Sequence, residues 1–297
     1  MNQKLHELKL TLRSHKKVKL SRSTAGNVGV FLFLLIICAF MVLPMLYAVL
    51  QAFKPLDELF LYPPRFFVRN PTLQNFSDVI YLTESMEIPF ARYLFNSIFI
   101  TVVGTVLYII LAAAAGYSLG KGRYKGKKLI SNLVVWALLF RPEVTSIPRY
   151  IVVSELGLVD TYWALILPPL ASTMGVFLIK QFVTVAIPDE TLEAARIDGA
   201  SEYTIFLRIV VPGIKPALMT AIIFTFQSLW NAGDATQFIY SEELNELPNV
   251  LSTIVAGGIA RAGAASAVSV IMMLPPIIVF LVTQSSVMET MTHSGLK

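Results

Sequence analysis

Residues 28–50 read VGVFLFLLIICAFMVLPMLYAVL, a run of 23 residues without a charged side chain. As a helix this run would be about 34 Å long, enough to cross the roughly 30 Å of hydrocarbon in a bilayer. Across the 297 residues, 55% are hydrophobic and only 14% are charged, whereas a soluble domain is about 25% charged. The sequence therefore predicts an integral membrane protein and excludes a disordered chain or a coiled coil.

Five more apolar segments follow the first one. They lie at about 94–119, 129–153, 162–182, 217–230 and 267–284. The third is interrupted by Arg141, Pro142, Glu143 and Pro148. We therefore expect an all-α membrane fold with six transmembrane helices. Its transmembrane domain would cover residues 28–284, between a basic tail at 1–27 and a C-terminal tail at 285–297.

The distribution of Lys and Arg predicts the orientation. Sixteen of them fall in the N-terminal tail, the second and fourth connections and the C-terminal tail, against five in the other three connections. Because basic residues are retained on the cytoplasmic side, we expect both termini to be cytoplasmic. The alternative of a secretory signal peptide is disfavoured, since the first apolar run is too long and no small-residue cleavage site follows Leu50. The same topology explains the net charge of +5 without nucleic acid as a partner.

Several kinds of catalytic site are excluded by residue spacing. A phosphate-binding loop has a glycine five residues before its Gly-Lys pair and a Ser or Thr after it. Around Gly126 and Lys127 these positions are Lys121 and Lys128, so the pattern does not match. The three histidines lie in the two tails, and Cys38 is the single cysteine. We therefore expect no nucleotide, metal or cofactor site in this chain, and no enzyme activity.

The connection at 186–213 carries the most specific pattern, AIPDETLEAARIDGASEYTIFLRIVVP over residues 186–212. Pro188 suits the first turn of a helix, and the acids after it suit the positive end of the helix dipole. Gly199 stands where a helix commonly ends in a left-handed residue. Ser201 can cap a second helix, which Pro212 would stop. The sequence predicts a helix, a glycine turn and a helix, with apolar residues exposed toward the cytoplasm for a partner to cover. The alternative is that the loop packs only on its own helix bundle.

Within this loop, the order Glu193-Ala194-Ala195, Gly199, Ile209 and Pro212 resembles the EAA loop of permease subunits from binding-protein-dependent ABC importers. The extended form Glu-Ala-Ala-Arg-Ile-Asp-Gly-Ala-Ser is similar to the carbohydrate branch, the six-helix maltose-type family. Weaker similarities run along most of the chain. They are Asn96-Ser97, Gly116-Tyr117-Ser118, Leu156-Gly157-Leu158, Lys180-Gln181-Phe182, Trp230-Asn231 and Gly295-Leu296-Lys297.

The resemblance implies that the loop is a coupling helix that docks into a groove on a separate cytoplasmic ATPase subunit, which would bind ATP and Mg. The implied coupling residues are Glu193, Ala194, Ala195, Asp198, Gly199, Ala200, Phe206 and Pro212. The partners would be a second homologous permease, two ATPase subunits and an extracellular sugar-binding protein. The chain would then be a subunit of a carbohydrate importer, with an oligosaccharide as the expected cargo, in the bacterial cytoplasmic membrane.

A separate group of polar and aromatic residues could line a path for the sugar, because hydroxyls need hydrogen bonds and sugar faces stack on rings. This group comprises Asn96, Arg141, Glu143, Gln227, Trp230, Asn231 and Asp234. Two alternatives stay open: Asn96 could bond between helices, and the charges near Pro142 could face external water. An ion-coupled secondary transporter is the rival function, with Glu143 as its one candidate acid, and a non-transporting membrane scaffold or enzyme is a second.

Overall fold

A computed structural model of the chain describes residues 24–84, 88–232 and 237–294. Over these ranges all regular structure is helical. The α-helices are α1 (Thr24–Ala52), α2 (Leu56–Leu59), α3 (Gln74–Glu84), α4 (Phe90–Lys121), α5 (Lys127–Ala137), α6 (Pro142–Glu155), α7 (Tyr162–Leu170), α8 (Thr173–Ala186), α9 (Asp189–Ile197), α10 (Glu202–Ile205), α11 (Val211–Gly213), α12 (Lys215–Trp230), α13 (Leu247–Ala256) and α14 (Ala262–Ser294). A π-helical turn, Phe206–Val210, joins α10 to α11.

The chain divides into two compact units, residues 1–47 and 48–297. In the first unit the described part belongs to α1, whose apolar side chains are exposed over almost its whole length. An exposed apolar helix of this length is typical of a membrane span. The basic tail that sets the predicted orientation lies largely outside the described residues, as do Gly295-Leu296-Lys297.

Within the described ranges, four helical segments are long and apolar enough to cross a membrane, at Ala25–Ala52, Phe90–Lys121, Tyr162–Ala186 and Ala262–Ser285. The pair Glu202–Gly213 and Lys215–Trp230 is apolar enough to make a fifth only if it is counted as one span, since it is bent by 78° at its break. The third of the six predicted segments is instead divided into α5 and α6, of 11 and 14 residues. Each of these two helices is shorter than the about 20 residues that a membrane span needs. The division covers residues 138–141 and ends at Pro142, which begins α6.

The second unit is built around α4, which packs against α7, α8 and α12. A Cβ atom at Gly116 would lie 2.6 Å from Cγ2 of Ile179 and 3.1 Å from the backbone nitrogen of Lys180. Only glycine therefore allows α4 and α8 to approach this closely, which is the usual way that membrane helices gain packing energy. Ile179 and Val183 of α8 are completely buried in this contact.

The long apolar segment at 162–186 is broken between α7 and α8, after Pro168 and Pro169. The Tyr108 hydroxyl of α4 lies in this break, where it donates to the carbonyl oxygen of Ser172 and accepts from the backbone N–H of Gly175, both at 2.9 Å. Because unpaired backbone groups are costly away from water, this side chain stabilises the break by pairing two of its backbone groups.

Candidate functional site

Helix α9 begins after Pro188, and Asp189 and Glu190 lie in its first turn. It ends with two hydrogen bonds, from the N–H of Gly199 to the carbonyl of Arg196 and from the N–H of Ala200 to the carbonyl of Ala195, at 3.1 and 3.0 Å. This pair of bonds is a Schellman motif, which requires a left-handed residue. Gly199 has φ +81°, so the turn depends on a residue without a Cβ atom.

The segment after the turn begins with Ser201, whose Oγ accepts from the backbone N–H of Thr204 at 3.2 Å. The helix then widens into the π turn and ends at Gly213, one residue beyond the expected stop at Pro212. Proline has no N–H and would crowd the carbonyl four residues earlier in a regular α-helix. The wider turn, closed by the N–H of Val211 on the carbonyl of Phe206, accommodates this proline without ending the helix before it.

Two ion pairs join α9 to the C-terminal end of α4. Lys121 Nζ lies 2.9 Å from Asp189 Oδ1, and Arg123 Nη2 lies 2.6 Å from Glu193 Oε1. The hydrogen bond from Lys121 holds the pKa of the Asp189 carboxyl below its usual value. The Arg123–Glu193 pair is exposed on both sides and contributes little stability, about 0–1 kcal/mol, whereas the Lys121 side chain is only 8% exposed. The two pairs hold α9 next to the C-terminal end of α4. Arg123 and Glu193 are 70 positions apart in the sequence.

A third connection lies across the turn itself. Arg196 Nε donates to Glu202 Oε1 at 2.7 Å, and the Tyr117 hydroxyl donates to Glu202 Oε2 at 2.9 Å. The Tyr117 and Phe206 rings lie with centroids 5.8 Å apart, and Phe206 is half-buried. The two helices of the loop are thus connected to each other and to α4.

The loop has one buried face and one exposed apolar face. Leu192 and Ile205 are buried against α8 and α12, whereas Ile197 is 86% exposed and Tyr203 is 73% exposed. Glu193, Ala194, Asp198, Gly199 and Pro212 are also exposed, and Ala195 and Ala200 are half-buried. We call the exposed group Ala194, Ile197, Gly199 and Tyr203 the loop patch. These four residues lie within ten positions of the sequence, and a contiguous exposed apolar patch is typical of a protein interface.

Two residues expected along the sugar path have structural partners. Asn96 is completely buried: its Nδ2 donates to the carbonyls of Glu243 and Asn245 at 2.8 and 2.9 Å, and its Oδ1 accepts from the Tyr162 hydroxyl at 2.8 Å. Trp230 is 2% exposed and donates from Nε1 to the carbonyl of Met272 at 2.9 Å. Neither side chain therefore offers a free hydrogen-bonding atom to a ligand in this structure.

The remaining members of that group lie at the surface or outside the described residues. Gln227 and Asn231 are exposed at the end of α12, where Asn231 Nδ2 donates to the carbonyl of Gln227 at 2.9 Å. Arg141 and Glu143 are both exposed and form an ion pair at 3.5 Å. Asp234 lies outside the described residues. The structure brings Gln227 and Asn231 together but groups neither with the pair at 141–143.

The ion-pair partners of α9 were not found from the sequence, because the basic cluster after α4 was interpreted only as a topology signal. Glu246 was also missed. Its side chain is 2% exposed at the start of α13, outside the candidate spans, and burial raises its pKa to about 8. A lone acid in a loop gives no sequence signal of burial. Across the described ranges no group of His, Cys, Asp and Glu could hold a metal ion.

Comparison with known proteins places the chain among transport permeases. It is 33% identical over 204 residues to the polygalacturonan/rhamnogalacturonan transport system permease protein YtcP of Bacillus subtilis, a match that covers 67% of each chain. It is 29% identical over 277 residues to the arabinooligosaccharides transport system permease protein AraQ of the same organism, with 91% of this chain and 96% of AraQ covered. The share of a relative's own length that is matched ranges from 63% to 99%. No family model matches the chain.

Solved structures with a similar fold include an ABC importer. It is described as a bacterial ABC transporter involved in the import of the acidic polysaccharide alginate, and the two chains superpose with a TM-score of 0.75. They are 22% identical, and the match covers 90% of this chain and 99% of that one. At this identity the likeness supports the fold of the chain.

Proposed function

Because the chain belongs to the family of ABC transporter permease proteins, we propose that it forms half of the membrane pathway of an ATP-driven, binding-protein-dependent carbohydrate importer. It is a multi-pass membrane protein and a permease subunit, not an enzyme. Relatives named for arabinooligosaccharides and for polygalacturonan support an oligosaccharide as cargo. The assembly would contain a second permease, two ATPase subunits that bind ATP and Mg, and an extracellular sugar-binding protein.

In the membrane we propose six spans with both termini in the cytoplasm. α5 and α6 together would form the third span, with a break at 138–141 where Arg141 and Glu143 reach the external water. α12 would contribute the fifth, and α10 and α11, which are bent by 78° against it, would stay in the cytoplasmic loop. The basic residues after α4 and in the loop at 186–213 then lie on one side, as the positive-inside rule requires.

The observation that carries this function is the loop patch on a helix pair that is linked to α4. Ile197 and Tyr203 expose apolar surface next to a glycine turn, while Asp189 and Glu193 are held by Lys121 and Arg123. We propose that the ATPase subunit covers the loop patch. Closure of the ATPase dimer on ATP would move α9, the ion pairs would move α4 with it, and the cavity would open outward to receive sugar from the binding protein.

For the sugar path we propose Gln227 and Asn231 as contacts, because both are exposed and can donate and accept hydrogen bonds. Asn96 and Trp230 would support this surface from behind, through the bonds described above. We place Arg141, Glu143 and Asp234 at the external mouth of the same path, on the basis of the proposed topology. The ion-coupled alternative has no support from the relatives, which are transport-system permeases.

The test is a charge exchange at the link between α9 and α4. Glu193→Lys places a cation against Arg123, so we expect the reconstituted complex to lose sugar-stimulated ATP hydrolysis and uptake while the permease still inserts. The double variant Arg123→Glu/Glu193→Lys restores an ion pair with reversed polarity. It should recover stimulation at least in part if the pair transmits motion between the two helices.

The matched control is Glu190→Lys, because Glu190 lies three residues before Glu193 in the same helix, is exposed and forms no ion pair among the residues that the structure describes. It should retain stimulated hydrolysis close to wild type. Normal stimulation and normal co-purification of the ATPase subunit in Glu193→Lys would show that this loop does not couple hydrolysis to transport.

A further inference from the structure

An open cavity of about 620 Å³ lies between the C-terminal end of α4, the start of α5 and α8. Its polar lining includes three lysines, Lys127, Lys128 and Lys180, together with hydroxyl or amide groups of Ser131, Asn132 and Thr184. No acidic residue is among the residues that line it. The cavity is therefore a concave surface of one sign of charge, which attracts an anion.

Most of the charge of the three lysines is left without a paired acid, because Asp189, which Lys127 also attracts, is paired with Lys121. In the described ranges, ion pairs engage the neighbouring Lys121 and Arg123 but none of these three. Lys127 Nζ donates to the carbonyl of Gly120 at 2.9 Å, which holds this ammonium at the cavity wall. α5 starts at Gly126 with φ +90°, no side-chain cap and no acid in its first turn, so its first amides add to the attraction for an anion.

The surface beside the cavity indicates which anion. From the lysines, α5 leads to Leu129, Leu133 and Trp136, all of them exposed. Residues spaced by three and four lie along one side of a helix, so these three form an apolar strip on α5, which adjoins the cavity lining where Asn132 and Trp136 are four residues apart. A free phosphate ion would use the lysines alone. A phospholipid would use both surfaces, with its phosphate in the cavity and an acyl chain on the strip.

We propose that this cavity binds the headgroup of an anionic membrane phospholipid of the phosphatidylglycerol type, one lipid per permease subunit. The proposal rests on the proposed orientation, in which the end of α4 and the start of α5 lie at the cytoplasmic surface. Basic cavities between membrane helices on that side are suited to anionic headgroups. The hydroxyl and amide groups of the lining would bond the glycerol of the headgroup.

The experiment counts lipid on the purified full-length protein, in complex with the subunits that co-purify. Delipidated complex in neutral detergent is titrated with phosphatidylglycerol, and bound lipid is counted by native mass spectrometry. Lys128→Gln/Lys180→Gln should weaken phosphatidylglycerol binding by about fivefold for each lysine, about 25-fold in total. The control Arg208→Gln/Lys215→Gln removes two exposed charges away from the cavity and should bind as wild type does.

Three results would overturn the proposal. Equal binding in the cavity variant and wild type would show that the lysines do not hold the lipid. Displacement by inorganic phosphate, or equal binding of phosphatidylcholine, would show that the site does not select an anionic lipid. Lipid bound to permease purified without the ATPase subunit, but absent from the complex that contains it, would assign the cavity to that interface. The measurement needs neither ATP nor sugar, so its failure is independent of whether the chain transports carbohydrate.

Discussion

The hydrogen bond from Trp230 to α14 replaces a backbone hydrogen bond that Pro276 removes from that helix. Pro276 has no N–H, so the carbonyl of Met272 lacks the donor that would normally come from four residues later. The indole Nε1 of Trp230 donates to this carbonyl at 2.9 Å. Trp230→Phe keeps an aromatic ring that can stack on Phe226 but removes the donor and leaves the carbonyl unpaired.

The expected cost has two parts. Bonds between membrane helices are worth on average about 0.6 kcal/mol, with a maximum near 1.7. This one should be near the top of that range because its acceptor has no intrahelical donor. The smaller ring loses roughly 1 kcal/mol of buried apolar contact. We expect Trp230→Phe to lower the free energy of unfolding by about 2–3 kcal/mol in total.

Pro276→Ala provides the decisive comparison. An alanine at 276 supplies an N–H to the carbonyl of Met272, so in that background Trp230→Phe should cost only the roughly 1 kcal/mol of lost contact. The assay is thermal unfolding of the detergent-solubilised protein for the four members of this double-mutant cycle. An identical cost of Trp230→Phe with and without Pro276 would refute the compensation.

Three further predictions follow from positions in the second unit. Gly199→Ala should lower the free energy of unfolding by about 1–2 kcal/mol from backbone strain alone, since nothing lies within 4 Å of its Cβ position. Gly116→Ala should lower it further, because its Cβ would meet Ile179 and the backbone of Lys180. Equal melting temperatures of the two variants would contradict this. Burial raises the pKa of Glu246 to about 8, so the folded protein keeps a proton that the unfolded chain releases above about pH 4.3. The free energy of unfolding should therefore fall as the pH rises from about 4.5 to 8. Glu246→Gln should have a higher melting temperature than wild type at pH 8 and the same one near pH 4.5. Parallel plots of melting temperature against pH for the two proteins would exclude a buried acid. Gln227→Ala and Asn231→Ala should weaken sugar uptake or shift the range of sugars while the subunits still co-purify, and wild-type uptake in both would remove them from the path.

Local features of the chain were accessible from the sequence alone. Long runs without charge predicted a helical membrane protein, because backbone groups in a bilayer must be satisfied within the segment itself. The turn at Gly199 was predicted for a similar reason: a left-handed residue at the end of a helix is a local requirement that glycine meets at low cost. Such requirements involve residues within a few positions of each other, so a sequence pattern is enough to detect them.

The partners of individual side chains were decided by the tertiary structure. Asn96 and Trp230 were expected along a sugar path because of their residue types, yet Asn96 bonds carbonyls about 150 residues away and Trp230 bonds a carbonyl that Pro276 had left without a donor. The Arg123–Glu193 pair joins residues 70 positions apart. Which polar groups meet depends on how helices pack, and packing is determined by contacts such as that of Gly116 on Ile179, which leave no periodic signal in the chain.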